Sequence, residues 1–253
     1  MDIVIIGSGN VATHLAKALY AAKHSIRQIY SRNVDNAKVL ADVVEAEPVC
    51  AVQQIDTGAD LYFISVKDDV ISELVSHMPD VNGIVVHTAG SVSMTVLSRF
   101  KNHGVFYPFQ TFTKETEVDF SAIPVLVESN SESNTTTLLN TGKQLSNKVM
   151  KAGSEQRRDL HIAAVYACNF VNYMYHLADD VLKKSNLSFE LLHPLILETA
   201  TKVQKASPVK AQTGPAARKD YQVIEKHLET LKADAELHDV YNMLTNNIIG
   251  RVK

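Results

Sequence analysis

The chain has 253 residues, 45% of them hydrophobic and 21% charged, with a net charge of -3. That length and balance suit one large or two modest globular domains. They give no electrostatic basis for binding nucleic acid or an anionic membrane surface.

The chain opens on Asp2–Ile6, a short continuous apolar run of the kind a parallel strand shows when both its faces are buried. It goes directly into this strand, with no basic flank and no cleavable apolar segment. Gly7-Ser8-Gly9-Asn10-Val11-Ala12 follows and fits G-x-G-x-x-A between a strand and a helix over Asn10–Lys23. In that context Gly7 permits a tight turn, Gly9 lets backbone approach a pyrophosphate, and Ala12 allows close helix–strand packing. The helix N-terminus offers free N–H groups and a positive dipole end. A turn in a Rossmann-like fold that binds nothing is the competing reading.

The next predicted strand, Ile26–Tyr30, ends in Ser31-Arg32-Asn33. An NAD site usually carries an acidic residue here to bond the ribose hydroxyls. A hydroxyl and a guanidinium would instead hold the 2′-phosphate of NADP. Ser31 or Asn33 also suits the cap of the next helix, Val34–Val44. Further predicted strands are Pro48–Val52, Asp60–Val66, Gly83–His87, Gly104–Tyr107, Pro124–Glu128 and Lys148–Lys151. Helices are predicted at Asp68–His77, Val92–Lys101 and Glu132–Leu145.

Three segments are expected at the carboxyl edge of this sheet. In the first, Val66 would pack on the nicotinamide end, and Lys67 is either a proton donor or a solvated lysine. In the second, His87 is a candidate acid or base and Ser91 a candidate bond to a substrate carbonyl or carboxylate. A structural histidine and a helix-capping serine are the alternatives. In the third, Tyr107-Pro108-Phe109-Gln110-Thr111, Pro108 is a candidate cis proline and Gln110 a candidate cleft residue.

Beyond Ser154 the pattern is helical: Asp159–Lys184, apolar on most sides and so expected to be buried, then Phe189–Lys205, Pro215–Lys232 and Ala235–Ile249. His161, Asn169, Asn172 and His176 fall on one face of the first of these, to meet substrate, a neighbouring helix or a dimer partner. Pro215 and Arg218 mark a helix start able to dock a carboxylate. Cys50 and Cys168 lie in apolar surroundings and are expected to be buried thiols in a reducing cytoplasm, with no metal site. No apolar run reaches the length of a membrane span.

The expected fold is therefore an α/β Rossmann-like domain, with a mostly parallel doubly wound sheet, over residues 1–153, followed by an all-α helical domain over 154–253. The pieces GSGNVATHLA, YSRN, ADLYFISVKDD, VVHTAGS, YPFQTF, ACNF and TGPAARKD carry a resemblance to one group. The chain resembles bacterial Rossmann-like proteins with a C-terminal helical domain of unknown function, described as NADP oxidoreductases. They are related to pyrroline-5-carboxylate reductase and the β-hydroxyacid dehydrogenases.

The resemblance implies an NADP cofactor, a small-molecule substrate and a homodimer formed through the helical domain. It also marks a departure. β-Hydroxyacid dehydrogenases place a lysine one turn before an asparagine in the first interdomain helix, and here Asn169 is preceded four residues earlier by Val165. That points away from β-hydroxyacid oxidation and toward reduction of a small carbonyl or imine. His87, Ser91 and Asn169 are then the candidates around the reacting carbon. A non-catalytic NADPH-binding regulator and hydride exchange between NADP and a deazaflavin are the alternatives.

Overall fold

The computed structural model describes residues 1–251. Its first compact unit runs from Met1 to Cys168. Eight strands build one sheet in the order β3-β2-β1-β4-β5-β6-β7-β8. They are β1 (Asp2–Ile6), β2 (Ser25–Tyr30), β3 (Glu47–Val49), β4 (Leu61–Ile64), β5 (Ile84–His87), β6 (His103–Pro108), β7 (Val125–Ser129) and β8 (Val149–Lys151). Neighbours are parallel except β6 and β7, which run antiparallel.

The apolar runs become strands covered on both sides. Ile3 and Ile5 belong to one core with α1 (Asn10–Ala21), α2 (Val34–Val44) and α4 (Glu132–Leu145). Val4 and Ile6, pointing the other way, join a second core with α3 (Ile71–His77), Leu97 and Phe100. Leu15 and Leu19 of α1 are fully buried, each worth about 1.5–3 kcal/mol in apolar burial. The sheet winds both ways from β1, so the strand order reverses between β1 and β4. In such sheets ligands bind outside the carboxyl ends of the strands at that reversal. Because β6 is parallel to β5, its end at Tyr107 and Pro108 reaches the same edge as Ile6, Tyr30, Ile64 and His87.

Several local expectations give way. The predicted helix over Val92–Lys101 is only a 3-10 turn, Met94–Leu97. There the Ser93 hydroxyl accepts the Thr95 N–H, the local bond with which serine competes against a helix. Residues 52–54 form a 3-10 turn rather than the end of β3. No peptide bond among the described residues is cis, so Pro108 is trans. Cys50 and Cys168 are both exposed, against the expectation of buried thiols. Cys50 stands just past the end of the edge strand β3, where one side lacks a neighbour.

The last strand ends at Lys151, and α5 (Ser154–Ala164) begins three residues later. A π-helical turn over Val165–Phe170 follows, then α6 (Val171–Lys183). The division between compact units falls inside that turn, after Cys168. The π turn shifts the side-chain register, so the even eight-three-four spacing of His161, Asn169, Asn172 and His176 does not hold as one regular α-helical stripe.

The second unit holds α6, α7 (His193–Lys205), α8 (Pro208–Ala211), α9 (Pro215–Arg218), α10 (Tyr221–Leu231) and α11 (Ala235–Arg251). The helix expected over Pro215–Lys232 is broken at Lys219, whose φ is 55°, and restarts where Asp220 caps Val223 N–H. Leu177, Ala216, Ile224 and Leu237 are its buried apolar residues, and Lys184 pairs with Asp234 at 2.7 Å. The apolar pattern of Asp159–Lys184 predicts a buried helix. Of α6 only Leu177 is buried, while Tyr173 and Val181 are exposed. Residues 252–253, the end of the chain, lie outside the described residues.

Candidate functional site

A cavity of about 1080 Å³ opens at the carboxyl edge of the first unit. The glycine turn forms one part of it. Gly7 has φ +131°, and a Cβ there would collide with the Ser65 carbonyl at the end of β4. Only glycine allows this turn and this close approach together. The Gly7 N–H donates to the Tyr30 carbonyl at 2.8 Å, fixing the turn against β2. Gly9, the N-cap of α1, has nothing within 4 Å of a built Cβ. No side chain caps α1, and its first turn holds no acid. Open space over uncapped N–H groups is what an approaching pyrophosphate requires.

Ser31, Arg32 and Asn33 line the same cavity. The Ser8 hydroxyl donates to Ser31 Oγ at 3.0 Å. Asn33 is the helix cap: its side-chain oxygen accepts from Asp35 N–H at 2.9 Å. That leaves Ser31 facing the cavity. Arg32 is exposed, and among the described residues no carboxylate forms an ion pair with it. The residues present therefore fit a dinucleotide with a phosphate near the end of β2.

Asn10 and Val11 open α1. Val11 lines the cavity, whereas the Asn10 side chain donates to the Phe112 carbonyl at 2.8 Å and clasps the segment after β6. Any phosphate contact from Asn10 is therefore left to its backbone. His14 strengthens the same clasp, with its ring 5.3 Å from that of Phe112.

The other part of the cavity is lined by Val66, Lys67, Asp68, Thr88, Gly90, Tyr107, Pro108, Gln110, Lys114 and His161. His87 is fully buried and does not line it. Its Nε2 has no hydrogen-bond partner, and its Nδ1 accepts the Ala89 N–H at 3.2 Å. Burial, with the Arg157 guanidinium second, pushes its pKa down to about 4, so it is neutral at pH 7. Ser91 is exposed and lies outside the cavity lining, but its hydroxyl donates to the Asp68 carboxylate at 2.5 Å. It therefore orients a cavity residue. Asn169 lies in the second unit and is exposed.

Two pairs of residues distant in the sequence meet at or behind this end of the cavity. Tyr107 Oη lies 3.1 Å from His161 Nδ1, and both line the cavity. Burial raises the Tyr107 phenol above its ordinary value, helped by Asp68 and opposed by Arg157. Behind them Arg157, 1% exposed, pairs with Glu128 at 2.5 Å and donates to the Val92 carbonyl at 2.6 Å. The signal for the first pair was a tyrosine at the end of a strand parallel to its neighbour. The signal for the second was an arginine one turn before a cleft histidine.

Two family models match separate parts of the chain. Residues 2–90 match the family described as NADP oxidoreductase, coenzyme F420-dependent, and residues 123–248 match a domain of unknown function, DUF2520. A candidate NADP oxidoreductase of Bacteroides fragilis shares 45% identity, over 99% of this chain and 98% of that one, with a TM-score of 0.90. An imine reductase from Myxococcus stipitatus, solved in complex with NADP+, shares 14% identity over 98% and 93%, with a TM-score of 0.71. A 1-pyrroline-5-carboxylate reductase from Streptococcus pyogenes shares 15% identity over 99% and 98%, with a TM-score of 0.63. These last two share the fold. No curated protein matches the chain. The chain belongs to the family of NADP oxidoreductases in which a Rossmann-like domain precedes a helical region of unknown function, and NADP is its cofactor.

Proposed function

We propose that this chain reduces a small carbonyl or imine compound, one bearing a carboxylate, with NADPH as the hydride source. The observation that carries the reading is a single cavity. It joins the glycine turn and Ser31-Arg32 to a polar end containing Thr88, Tyr107 and Gln110. Backbone N–H groups of Gly7, Ser8, Gly9, Asn10 and Val11 hold the pyrophosphate. Ser31, Arg32 and the backbone at Asn33 hold the 2′-phosphate. Val66 and Lys67 flank the nicotinamide end, and Lys67 and Lys114 are the cations available to a substrate carboxylate.

In this scheme His87 is a neutral buried support for the Thr88–Gly90 loop, and Ser91 holds Asp68. Asn169 enters as a candidate for orienting substrate, to be tested by substitution. Residues 1–153 serve the cofactor, while 154–253 contribute to the substrate side and join two copies into a homodimer. Leu191, Leu195, Leu197 and Val209 are between 63% and 83% exposed, and their apolar side chains support such a pairing, which would take them out of water. The proposed compartment is the cytoplasm, where exposed free thiols such as Cys50 and Cys168 persist. Among the described residues, no helix is long and apolar enough to cross a membrane.

The test is NADPH consumption with a panel of keto acids and cyclic imines, with label transfer from the cofactor to the product carbon. Transfer to any of them establishes the reductase. Failure on all, with transfer to a deazaflavin, would favour the second reading, for which the match at residues 2–90 speaks. Failure on both would leave an NADPH-binding regulator.

A further inference from the structure

We infer that Tyr107 is the proton donor of this reduction and that His161 is its relay to solvent. The inference rests on the reductase reading above. Tyr107 reaches the cavity because β6 runs parallel to β5, and His161 reaches it from α5. Their polar atoms stand 3.1 Å apart, within proton-transfer distance. Gly90 makes room for them. A Cβ there would lie 2.7 Å from His161 Nδ1 and 2.8 Å from Tyr107 Oη, so any side chain at this position would part the pair.

The groups around the phenol suit a donor. Asp68, held by Ser91 after β4, favours its protonated form, and Arg157 on α5 tempers that effect. Lys67 and Lys114 line the same cavity. His87, the rival donor, is fully buried and does not line the cavity.

As hydride forms the new C–H bond, the π pair of the C=O or C=N bond moves onto oxygen or nitrogen. That atom takes the phenolic proton of Tyr107. His161 Nδ1–H then returns a proton to the tyrosinate oxygen while Nε2 takes one from solvent. The net change is one hydride and one proton added to substrate, with NADPH oxidised to NADP+.

The test compares wild type with Tyr107→Phe, His161→Gln and Gly90→Ala on a keto acid and on the N-methylated pyrrolinium ion. The latter already carries its positive charge and needs no proton. Tyr107→Phe is expected to bind NADPH like wild type and to lose roughly 10² to 10⁴-fold in kcat on the keto acid, with a far smaller loss on the iminium ion. His161→Gln is expected to lose less and to shift the alkaline limb of the pH profile. Gly90→Ala is expected to follow Tyr107→Phe.

A readout independent of turnover is tyrosinate absorbance in alkaline titration. The chain has 9 tyrosines and no tryptophan, so the wild-type minus Tyr107→Phe difference isolates one phenol. It is expected to ionise above the ordinary range and to move in His161→Gln. Unchanged kcat in Tyr107→Phe, equal loss on both substrates, or a phenol ionising normally in wild type would each overturn the assignment while leaving the reductase reading intact. Wild type inactive on every substrate would overturn the reductase reading, and this assignment with it.

Discussion

The hydroxyl of Ser8 donates to the hydroxyl of Ser31 across 3.0 Å, tying the glycine turn to the end of β2. The two ends of a bound NADP phosphate system would thus be set by one contact. Ser31→Asp places a carboxylate where the 2′-phosphate is proposed to sit. Like charges at that range cost several kcal/mol. NADPH affinity should fall by tenfold or more, roughly, while NADH affinity holds or rises, read by cofactor fluorescence. Equal weakening of both cofactors would argue against a 2′-phosphate at this position.

Gly7 and Gly9 should separate folding from binding. Gly7→Ala meets both a positive φ and the Ser65 carbonyl, so it should lower Tm markedly. Gly9→Ala meets nothing in the protein. Its Tm should stay within a few degrees of wild type while NADPH binding is lost, because the methyl group occupies the pyrophosphate's approach. A Gly9→Ala variant that binds normally would remove the cradle from the account.

The buried imidazole of His87 should make stability depend on pH. Its folded pKa of about 4 lies below the ordinary 6.5. The unfolded chain therefore takes up a proton that the folded chain refuses. The stability is complete above pH 6.5 and is lost as pH falls toward 4, by about 3 kcal/mol at the low end. Denaturant titrations of wild type and His87→Gln across that range should show a flatter pH profile in the variant. Parallel profiles would mean that His87 is not protected from protonation in the fold.

Arg157 should matter for stability more than any surface charge. Its guanidinium is buried, paired with Glu128 and bonded to the Val92 carbonyl. Removing one partner of a buried pair costs about 3–5 kcal/mol, because the other charge is left uncompensated. Arg157→Met should show this in chemical denaturation, and adding Glu128→Gln should recover part of it. By contrast Lys151→Ala, which breaks an exposed pair with Glu132, should cost under about 1 kcal/mol.

The parts of this molecule written in local pattern were legible in its sequence. Asp2–Ile6, the glycine turn and the helix Val34–Val44 each carry their own signal within a few residues. So does the absence of an acid after Tyr30. A polar residue ending an apolar strand suggests a cleft, but β5 is a central strand covered on both faces, so His87 is buried away from the cavity lining. The Tyr107–His161 pair was illegible because 54 residues separate its members. Only the strand order that sets β6 beside β5, and the return of α5 to the sheet edge, brings them together. Arg157 and Glu128 are hidden for the same reason. The broken helix at Lys219 turned on one residue adopting a left-handed conformation, which a lysine rarely signals.

Ser31 and Arg32 are proposed to select NADP through its 2′-phosphate. A fluorescence titration of wild type and Arg32→Ala with NADPH and with NADH decides between this and a site indifferent to that phosphate. Wild type should bind NADPH tightly and NADH weakly. In Arg32→Ala, NADPH binding should fall by roughly ten- to a hundredfold, the worth of one charge-assisted contact, with NADH unchanged. Equal affinity for the two cofactors in wild type, or an Arg32→Ala variant that binds NADPH as tightly as wild type, would contradict it.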